Sequence, residues 1–207
     1  LQKIVQTLSS TISWNLLKED TEIATHDTAK FYVDILKNSF VISYIYHLNL
    51  SKGMPFFRMD KKIHFQDPFL FHALRSWILS GIRPFEKAIE YLEQPSEKSK
   101  LVESVVCNHL IRFLFNIEPT SSFDYSNSLF YWKSKKGREV DFVIKFEGGF
   151  LPIELKYKSG IDRQDIFGLI DFMKGGKSYT PIVLSKDASK VSNSHVQLPI
   201  PIFILVA

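Results

Sequence analysis

The chain has 207 residues, of which 45% are hydrophobic and 23% are charged, and this composition argues against a disordered or fibrous protein. Its single cysteine, Cys107, excludes an internal disulfide and a cysteine-based zinc site, which favours a reducing, cytoplasmic compartment. The net charge of +4 is compatible with a nucleic-acid partner but does not require one. The longest apolar runs are too short to cross a bilayer, so we expect no membrane partner. Because the chain begins at Leu1 rather than Met, we expect it to be part of a longer polypeptide.

The first predicted module, residues 1–98, has the order of elements that is typical of a winged helix. Helical spacing of apolar residues runs from Ile4 onward, and Thr25 can cap a further helix that ends before Ser39. Two short strands are then predicted, Phe40–Tyr46 and Lys61–Phe65. Three helices followed by a β-hairpin predict a winged-helix-like helical module.

Two interpretations of this module stay open. In the first, the helix Thr28–Leu36 enters a DNA major groove, and the loop near Lys52 and Arg58 contacts phosphates. In the second, the module docks only on protein, because Asp27 and Asp34 on the supposed recognition helix would repel phosphates.

The second predicted module, residues 99–207, follows a polar segment, Gln94–Lys100, that is interpreted as a linker after the helical pattern of Phe69–Leu92. Its apolar patterns predict an α-β-β-β-α-β domain with a mixed central sheet and one further strand. The predicted elements are the helix Leu101–Phe115, the strands Leu129–Trp132, Glu139–Phe146 and Phe150–Tyr157, the helix Asp165–Met173, and the strands Pro181–Leu184 and Ile202–Val206.

A predicted hairpin brings three ionisable residues together. With a Gly148-Gly149 turn, Glu147 lies opposite Phe150 and Asp141 lies opposite Lys156. Asp141, Glu154 and Lys156 then share one face of the sheet. The other face is predicted to be apolar, with Val140, Phe142 and Ile144 on one strand and Ile153, Leu155 and Tyr157 on the other.

Two carboxylates and an ammonium on one face suit metal-assisted phosphodiester hydrolysis. Mg²⁺ or Mn²⁺ would take Asp141 and Glu154 as ligands, with Glu103 on the preceding helix as an additional one. Lys156 would stabilise the attacking hydroxide or the charge on the phosphate. The alternatives are a cross-strand ion pair between Asp141 and Lys156, and a Glu103 that only favours the helix dipole.

A basic loop lies next to the predicted site in the sequence. It contains four cationic residues that could hold a DNA backbone or could simply be solvated: Lys133, Lys135, Lys136 and Arg138.

These residues carry a resemblance to a known family. Glu103, Glu139-Val140-Asp141 and Ile153-Glu154-Leu155-Lys156 resemble the helix acid, the Asp and the E-x-K elements of PD-(D/E)XK nucleases. More narrowly, the whole chain resembles the domain of unknown function found C-terminal to the ATPase module in archaeal and bacterial AAA-type ATPases. The segments Lys62–Asp67 and Gly137–Phe142 resemble sequence motifs of that family.

The resemblance implies a winged-helix-like segment followed by a restriction-endonuclease-like domain, and an ATP-binding domain upstream of this chain. ATP would be handled only there. We therefore expect a nuclease-like domain that binds DNA and hydrolyses it with a divalent metal. Two alternatives stay open: a non-catalytic module that docks an ATPase on a protein partner, and a module that binds DNA without cleaving it.

Overall fold

The computed structural model describes residues 1–19, 25–79, 81–120 and 123–206, and within them the chain is a mixed α/β protein. Eight α-helices occur in these ranges: α1 Gln2–Gln6, α2 Trp14–Glu19, α3 His26–Asn38, α4 Pro68–Ile78, α5 Pro84–Glu93, α6 Pro95–Ile117, α7 Phe167–Met173 and α8 Ile200–Val206. Ten strands occur there: β1 Thr11–Ile12, β2 Ile42–Asn49, β3 Met54–Pro55, β4 Lys61–Phe65, β5 Leu129–Lys133, β6 Glu139–Phe146, β7 Gly149–Lys156, β8 Ile182–Ser185, β9 Lys190–Val191 and β10 Val196–Pro199. No helix among the described residues combines the length and the apolar character that a bilayer crossing needs.

The chain divides into two compact units, and each unit is formed by two separate stretches of the sequence. The first unit comprises Leu1–Tyr44 and Met59–Asn108, and the second comprises Ile45–Arg58 and His109–Ala207. Strand β2 therefore begins in the first unit and ends in the second. The winged-helix assignment and the boundary between residues 98 and 99 stay predictions.

The first unit combines helices α1 to α5 and the first part of α6 with a small sheet in the order β1-β4-β2. As predicted, Thr25 caps α3, because its hydroxyl oxygen accepts the backbone N–H of Thr28 at 3.1 Å. Asp67 caps α4 in the same way, and Pro68 follows at a position where a missing N–H costs nothing. These caps set where the helices begin.

The predicted linker Gln94–Lys100 is wrong, because α6 already begins at Pro95. Proline is well tolerated in the first turn of a helix, and the N–H of Lys98 donates to the carbonyl of Gln94 at 2.9 Å. The polar residues that indicated a linker form the first turns of a helix that is 23 residues long.

The second unit is built on a mixed sheet in the order β2-β5-β6-β7-β8-β10-β9. Strands β5, β6 and β7 are antiparallel neighbours, whereas β2 pairs with β5, β7 with β8 and β8 with β10 in parallel. Along the chain, α6, β5, β6, β7, α7 and β8 follow the predicted α-β-β-β-α-β order. The restriction-endonuclease-like assignment itself stays a prediction.

The predicted last strand, Ile202–Val206, is wrong, because Ile200–Val206 forms helix α8. A short apolar, β-branched run fits a strand or a helix equally well by periodicity alone. Pro201 lies in the first turn of α8, where proline is favoured, and it could not donate to a strand ladder.

Helix α7 packs on the sheet of the second unit and positions the candidate site. Its Gly168 approaches β6 so closely that a Cβ atom there would collide with the backbone carbonyl of Glu139. The core that this packing forms contains the buried residues Leu48, Phe130, Val140, Val143, Ile166, Leu169, Phe172 and Val183.

Candidate functional site

The β6–β7 hairpin has a different register from the predicted one. Phe146 pairs with Gly149 and Lys145 with Phe150, so the two turn residues are Glu147 and Gly148. The predicted pairing of Glu147 with Phe150 is therefore wrong. The physical reason is Gly149, whose φ is 150° and whose added Cβ would run into the backbone carbonyl of Lys177, so this glycine serves a close strand contact. The register moves by two residues, which leaves each β7 side chain on its predicted side of the sheet.

A β-bulge in β6 changes the predicted faces of that strand. Phe130 of β5 pairs with Val143 and Trp132 pairs with Val140, so three residue steps on β6 oppose two on β5. Val140 and Val143 consequently pack in the same apolar core beneath α7. The prediction that Val140 shares a face with Phe142 and Ile144 is wrong, and the extra residue lies at Asp141–Phe142, where a bulge can redirect a side chain.

Glu154 and Lys156 form the centre of the candidate site. The ammonium Nζ of Lys156 donates to Oε1 of Glu154 at 2.5 Å. Glu154 is buried, whereas 30% of the Lys156 side chain is exposed, so the pair reaches solvent through its lysine. Burial alone would lower the pKa of Lys156, but the negative charges of Glu154 and Asp141 outweigh burial and raise it.

Asp141 lies next to this pair at the end of the β6–β7 pairing. The ladder between the two strands ends at Phe142 and Ile153. Beyond it, the backbone N–H of Leu155 donates to the carboxylate Oδ2 of Asp141 at 2.9 Å. The structure thus brings Asp141, Glu154 and Lys156 together, as the sequence predicted.

A second ion-paired group, which sequence reasoning missed, borders the site. Oδ2 of Asp165 lies 2.7 Å from Nζ of Lys158 and accepts the backbone N–H of Asp162 at 2.8 Å. Burial would raise the pKa of Asp165, but these hydrogen bonds and the charges of Lys158 and Lys156 lower it. The signal in the sequence was the recurrence of lysine two residues after Lys156, shortly before a pair of aspartates.

Glu103 belongs to the first unit, where it has a partner of its own. Its carboxylate lies 2.7 Å from the ammonium of Lys62, and only 3% of the lysine side chain and 12% of the glutamate side chain are exposed. The alternative that Glu103 favours the helix dipole is wrong, because α6 begins at Pro95 and the acidic residue of its first turn is Glu97. The role of Glu103 as a metal ligand stays a prediction.

Among the four basic loop residues, two form ion pairs and two lie in the exposed turn. Arg138 donates to Asp171 at 2.8 Å and lies over the ring of Phe167, and Lys133 lies 3.4 Å from Glu139. Lys135 and Lys136 are exposed in the turn between β5 and β6.

The site offers two carboxylates to a cation. In the part of the chain that the structure describes, no group of three or more His, Cys, Asp or Glu side chains could hold a metal ion. Mg²⁺ and Mn²⁺ fit two carboxylates, because such ions keep several waters and take further oxygens from a bound phosphate. Zinc, which favours histidine and cysteine, does not fit this donor set.

One comparison with known proteins gives a match. The family model described as "Domain of unknown function (DUF4143)" matches residues 98–203. No curated protein and no solved structure matches the chain.

Proposed function

The chain belongs to the family described as "Domain of unknown function (DUF4143)", and we propose that its second unit binds DNA and hydrolyses phosphodiester bonds with a divalent metal ion. One observation carries this proposal. The ammonium of Lys156 lies 2.5 Å from the carboxylate of Glu154 and within the electrostatic reach of Asp141, beside the end of a β-hairpin. This is the set of groups that hydrolysis of a phosphodiester needs.

Lys156 is the residue that we assign to the reacting phosphate. Its pKa is raised, so the side chain is a cation at neutral pH. It is also the exposed member of the ion pair, with 30% of its side chain accessible against 5% for Glu154. A cation held at the opening of a site stabilises the negative charge that develops on phosphate oxygens in the transition state.

Asp141 and Glu154 are the residues that would hold the metal ion. The hydrogen bond from the N–H of Leu155 orients Asp141, and burial restricts the rotamers of Glu154. A bound Mg²⁺ or Mn²⁺ would supply charge neutralisation at the phosphate and a lower pKa for a coordinated water.

Lys135 and Lys136 are the residues that we assign to the DNA backbone. Both are exposed in the β5–β6 turn. Exposed lysines attract phosphates without reading bases, so they would position the duplex and make its affinity fall with salt. Arg138 would support them indirectly, because its contacts with Asp171 and Phe167 attach the turn to α7.

The resemblance to the C-terminal domain of AAA-type ATPases extends the proposal to the longer polypeptide. An ATPase domain in the same polypeptide would handle ATP, and the present chain would act on DNA. Within this proposal the second unit has the restriction-endonuclease-like fold, which the order α6, β5, β6, β7, α7 and β8 supports.

A non-catalytic function is the second candidate, and one observation favours it. Lys156 is already bonded to Glu154, and Asp141 to the N–H of Leu155. Groups whose hydrogen bonds are satisfied within the protein can simply stabilise the sheet. The module would then bind DNA, or dock on a protein, without cleavage.

The experiment that separates these functions is a cleavage assay with the purified chain. Linear, branched and single-stranded DNA are incubated with Mg²⁺ or Mn²⁺ or with a chelator. We expect metal-dependent cleavage of at least one substrate, and we expect Glu154→Gln to abolish it, because the amide keeps the shape of the side chain but removes its charge. Glu147→Gln, in the exposed turn of the same hairpin, is the matched control.

Two results would overturn the nuclease proposal. Salt-dependent DNA affinity without cleavage, together with no Mn²⁺ binding by calorimetry, would assign DNA binding alone. Absence of both cleavage and DNA affinity would assign protein docking.

A further inference from the structure

A pocket of about 310 Å³ lies in the first unit at the turn between α4 and α5. It is distinct from the candidate nuclease site, because every residue that lines it belongs to the first unit. Its lining combines polar and apolar side chains, among them His72, Arg75, Ser76, Leu79, Ile82, Pro84 and Lys87. A volume of this size suits a small molecule.

Two cationic residues line the pocket, Arg75 and Lys87, and the guanidinium of Arg75 is held in place. It lies over the ring of Tyr91 at 4.8 Å, and its Nη1 donates to the backbone carbonyl of Lys87 at 3.3 Å. A guanidinium carries several N–H donors, and the one hydrogen bond that the described residues give Arg75 leaves other donors available. Among the residues that the structure describes, no carboxylate forms an ion pair with Arg75.

The charged neighbours of Arg75 are engaged elsewhere. Glu97, whose charge Arg75 senses, bonds to Lys100 at 2.8 Å, and Glu90 bonds to Lys87 at 2.8 Å. Burial lowers the pKa of His72, and the charge of Arg75 lowers it further, so this ring is neutral at pH 7. A fixed guanidinium without its own carboxylate is a receptor for an anion from outside.

The wall beside Arg75 is apolar and exposed. Leu79 is 60% exposed and Ile82 is 82% exposed, and Pro84 continues this surface. Arg83, between Ile82 and Pro84, adopts a left-handed φ of 58°, a backbone conformation that is unfavourable for an L-residue. The turn therefore carries a strained backbone while it presents apolar side chains to solvent.

We propose that this pocket binds a small organic anion, a carboxylate or a phosphate monoester that carries an apolar body. The guanidinium of Arg75 and the hydroxyl of Ser76 take the anionic group. Leu79, Ile82 and Pro84 cover the apolar body. The proposal rests on the first unit alone, so its failure would leave the nuclease proposal untouched.

Calorimetric titration of the full chain tests the proposal. The probes are phenyl phosphate and benzoate, which match the proposed chemistry, with inorganic phosphate, which has no apolar body, and benzyl alcohol, which has no charge. We expect saturable binding of at least one of the first two, about 10-fold tighter than either of the last two. The better of the two anions assigns the anionic group as phosphate or carboxylate.

Variants locate the binding. Arg75→Met keeps the length of the side chain and is expected to weaken binding about 10- to 100-fold, as for loss of a charge-assisted hydrogen bond. Arg112→Met, at an exposed position of α6, is the matched control and should bind as the parent chain does. Because Arg75→Met could disturb the contact with Tyr91, Ser76→Glu serves as a second variant, and its added negative charge should reject the anion to a similar extent. Circular dichroism checks that both variants are folded.

Three results would overturn the proposal. One is the absence of saturable binding of both organic anions at concentrations up to about 10 mM. Another is equal affinity for benzyl alcohol. The third is unchanged affinity in folded Arg75→Met and Ser76→Glu.

Discussion

Each unit of this protein contains a short lysine–glutamate ion pair, and the two pairs differ in their access to solvent. In the first unit, Lys62 lies 2.7 Å from Glu103, and only 3% of the lysine side chain and 12% of the glutamate side chain are exposed. In the second unit, Lys156 lies 2.5 Å from Glu154, but 30% of the lysine is exposed. The residue types and the distances are alike, so the environment distinguishes the pairs.

The difference teaches which pair can take part in chemistry. A pair that is withdrawn from solvent serves to hold the fold, and removal of one of its members leaves a charge in a poorly solvated environment. A pair that opens through its lysine can present the ammonium to a phosphate while the carboxylate stays oriented. Within the proposed nuclease function, this difference favours Lys156 and Glu154 over Lys62 and Glu103 as the reacting site.

The largest expected effect is on cleavage by the second unit. Lys156→Met should lower the rate of metal-dependent DNA cleavage by about 100- to 1,000-fold, as for loss of a group that stabilises transition-state charge. The rate is measured with the best DNA substrate found for the parent chain. Lys190→Met, at an exposed position of β9, is the control and should retain the parent rate. Equal rates for Lys156→Met and the parent chain would refute the assigned role of Lys156.

The next largest effect is on the stability of the first unit. Lys62→Met should lower the free energy of unfolding by about 3–5 kcal/mol, because it removes the ammonium that lies 2.7 Å from the largely inaccessible carboxylate of Glu103. The measurement is urea denaturation followed by circular dichroism.

The double variant Lys62→Met/Glu103→Met sharpens this prediction. It removes both charges and should recover most of the lost stability, since a buried ion pair is often replaceable by apolar side chains. If the double variant were less stable than Lys62→Met, the loss of stability in Lys62→Met would not come from the unbalanced charge of Glu103, and this prediction would be wrong.

Much of the second unit could be predicted from its sequence, because the patterns there are local. Alternating residues in Glu139–Phe146 and the Gly148-Gly149 pair predicted the hairpin, and this hairpin brings Asp141 and Glu154 near each other. The grouping survived an error of two residues in register, since side chains alternate with a period of two. The clustering was thus predictable even though the pairing was not.

The details that failed depend on contacts between distant segments. The bulge at Asp141–Phe142 arises from pairing with β5, and the register follows from the approach of Gly149 to Lys177. Neither contact has a signature within the strand that it changes. The partner of Glu103 was missed for the same reason, because Lys62 lies far away in the sequence.

A smaller effect is expected when the packing of α7 against β6, beside the Lys156–Glu154 pair, is disturbed. Gly168→Ala places a methyl group against the backbone of Glu139 and should destabilise the protein by about 1–3 kcal/mol, as other overpacked sites do. Gly160→Ala is the matched control, because nothing lies within 4 Å of its added Cβ. Both are compared by urea denaturation and by cleavage. Equal stability of the two variants would mean that the close approach of α7 to β6 is not required.

The smallest expected effect is the response of each unit to mild acid. Burial lowers the pKa of His47 in the second unit below its ordinary 6.5, and burial together with the charge of Arg75 lowers the pKa of His72 in the first. A histidine with a depressed folded-state pKa stabilises the protein fully above 6.5, and this stability is lost as the pH falls through the folded-state value. The free energy of unfolding should therefore decline below pH 6.5. His47→Gln, whose amide can still hydrogen-bond to the backbone of Lys133 but does not titrate, should make that decline shallower. Urea denaturation at a series of pH values between about 5 and 8 measures the slope of the free energy of unfolding against pH.

A slope that is unchanged in His47→Gln would contradict the prediction. It would show that His47 binds its proton equally well in the folded and unfolded chains, so that the acid response belongs to the other histidines.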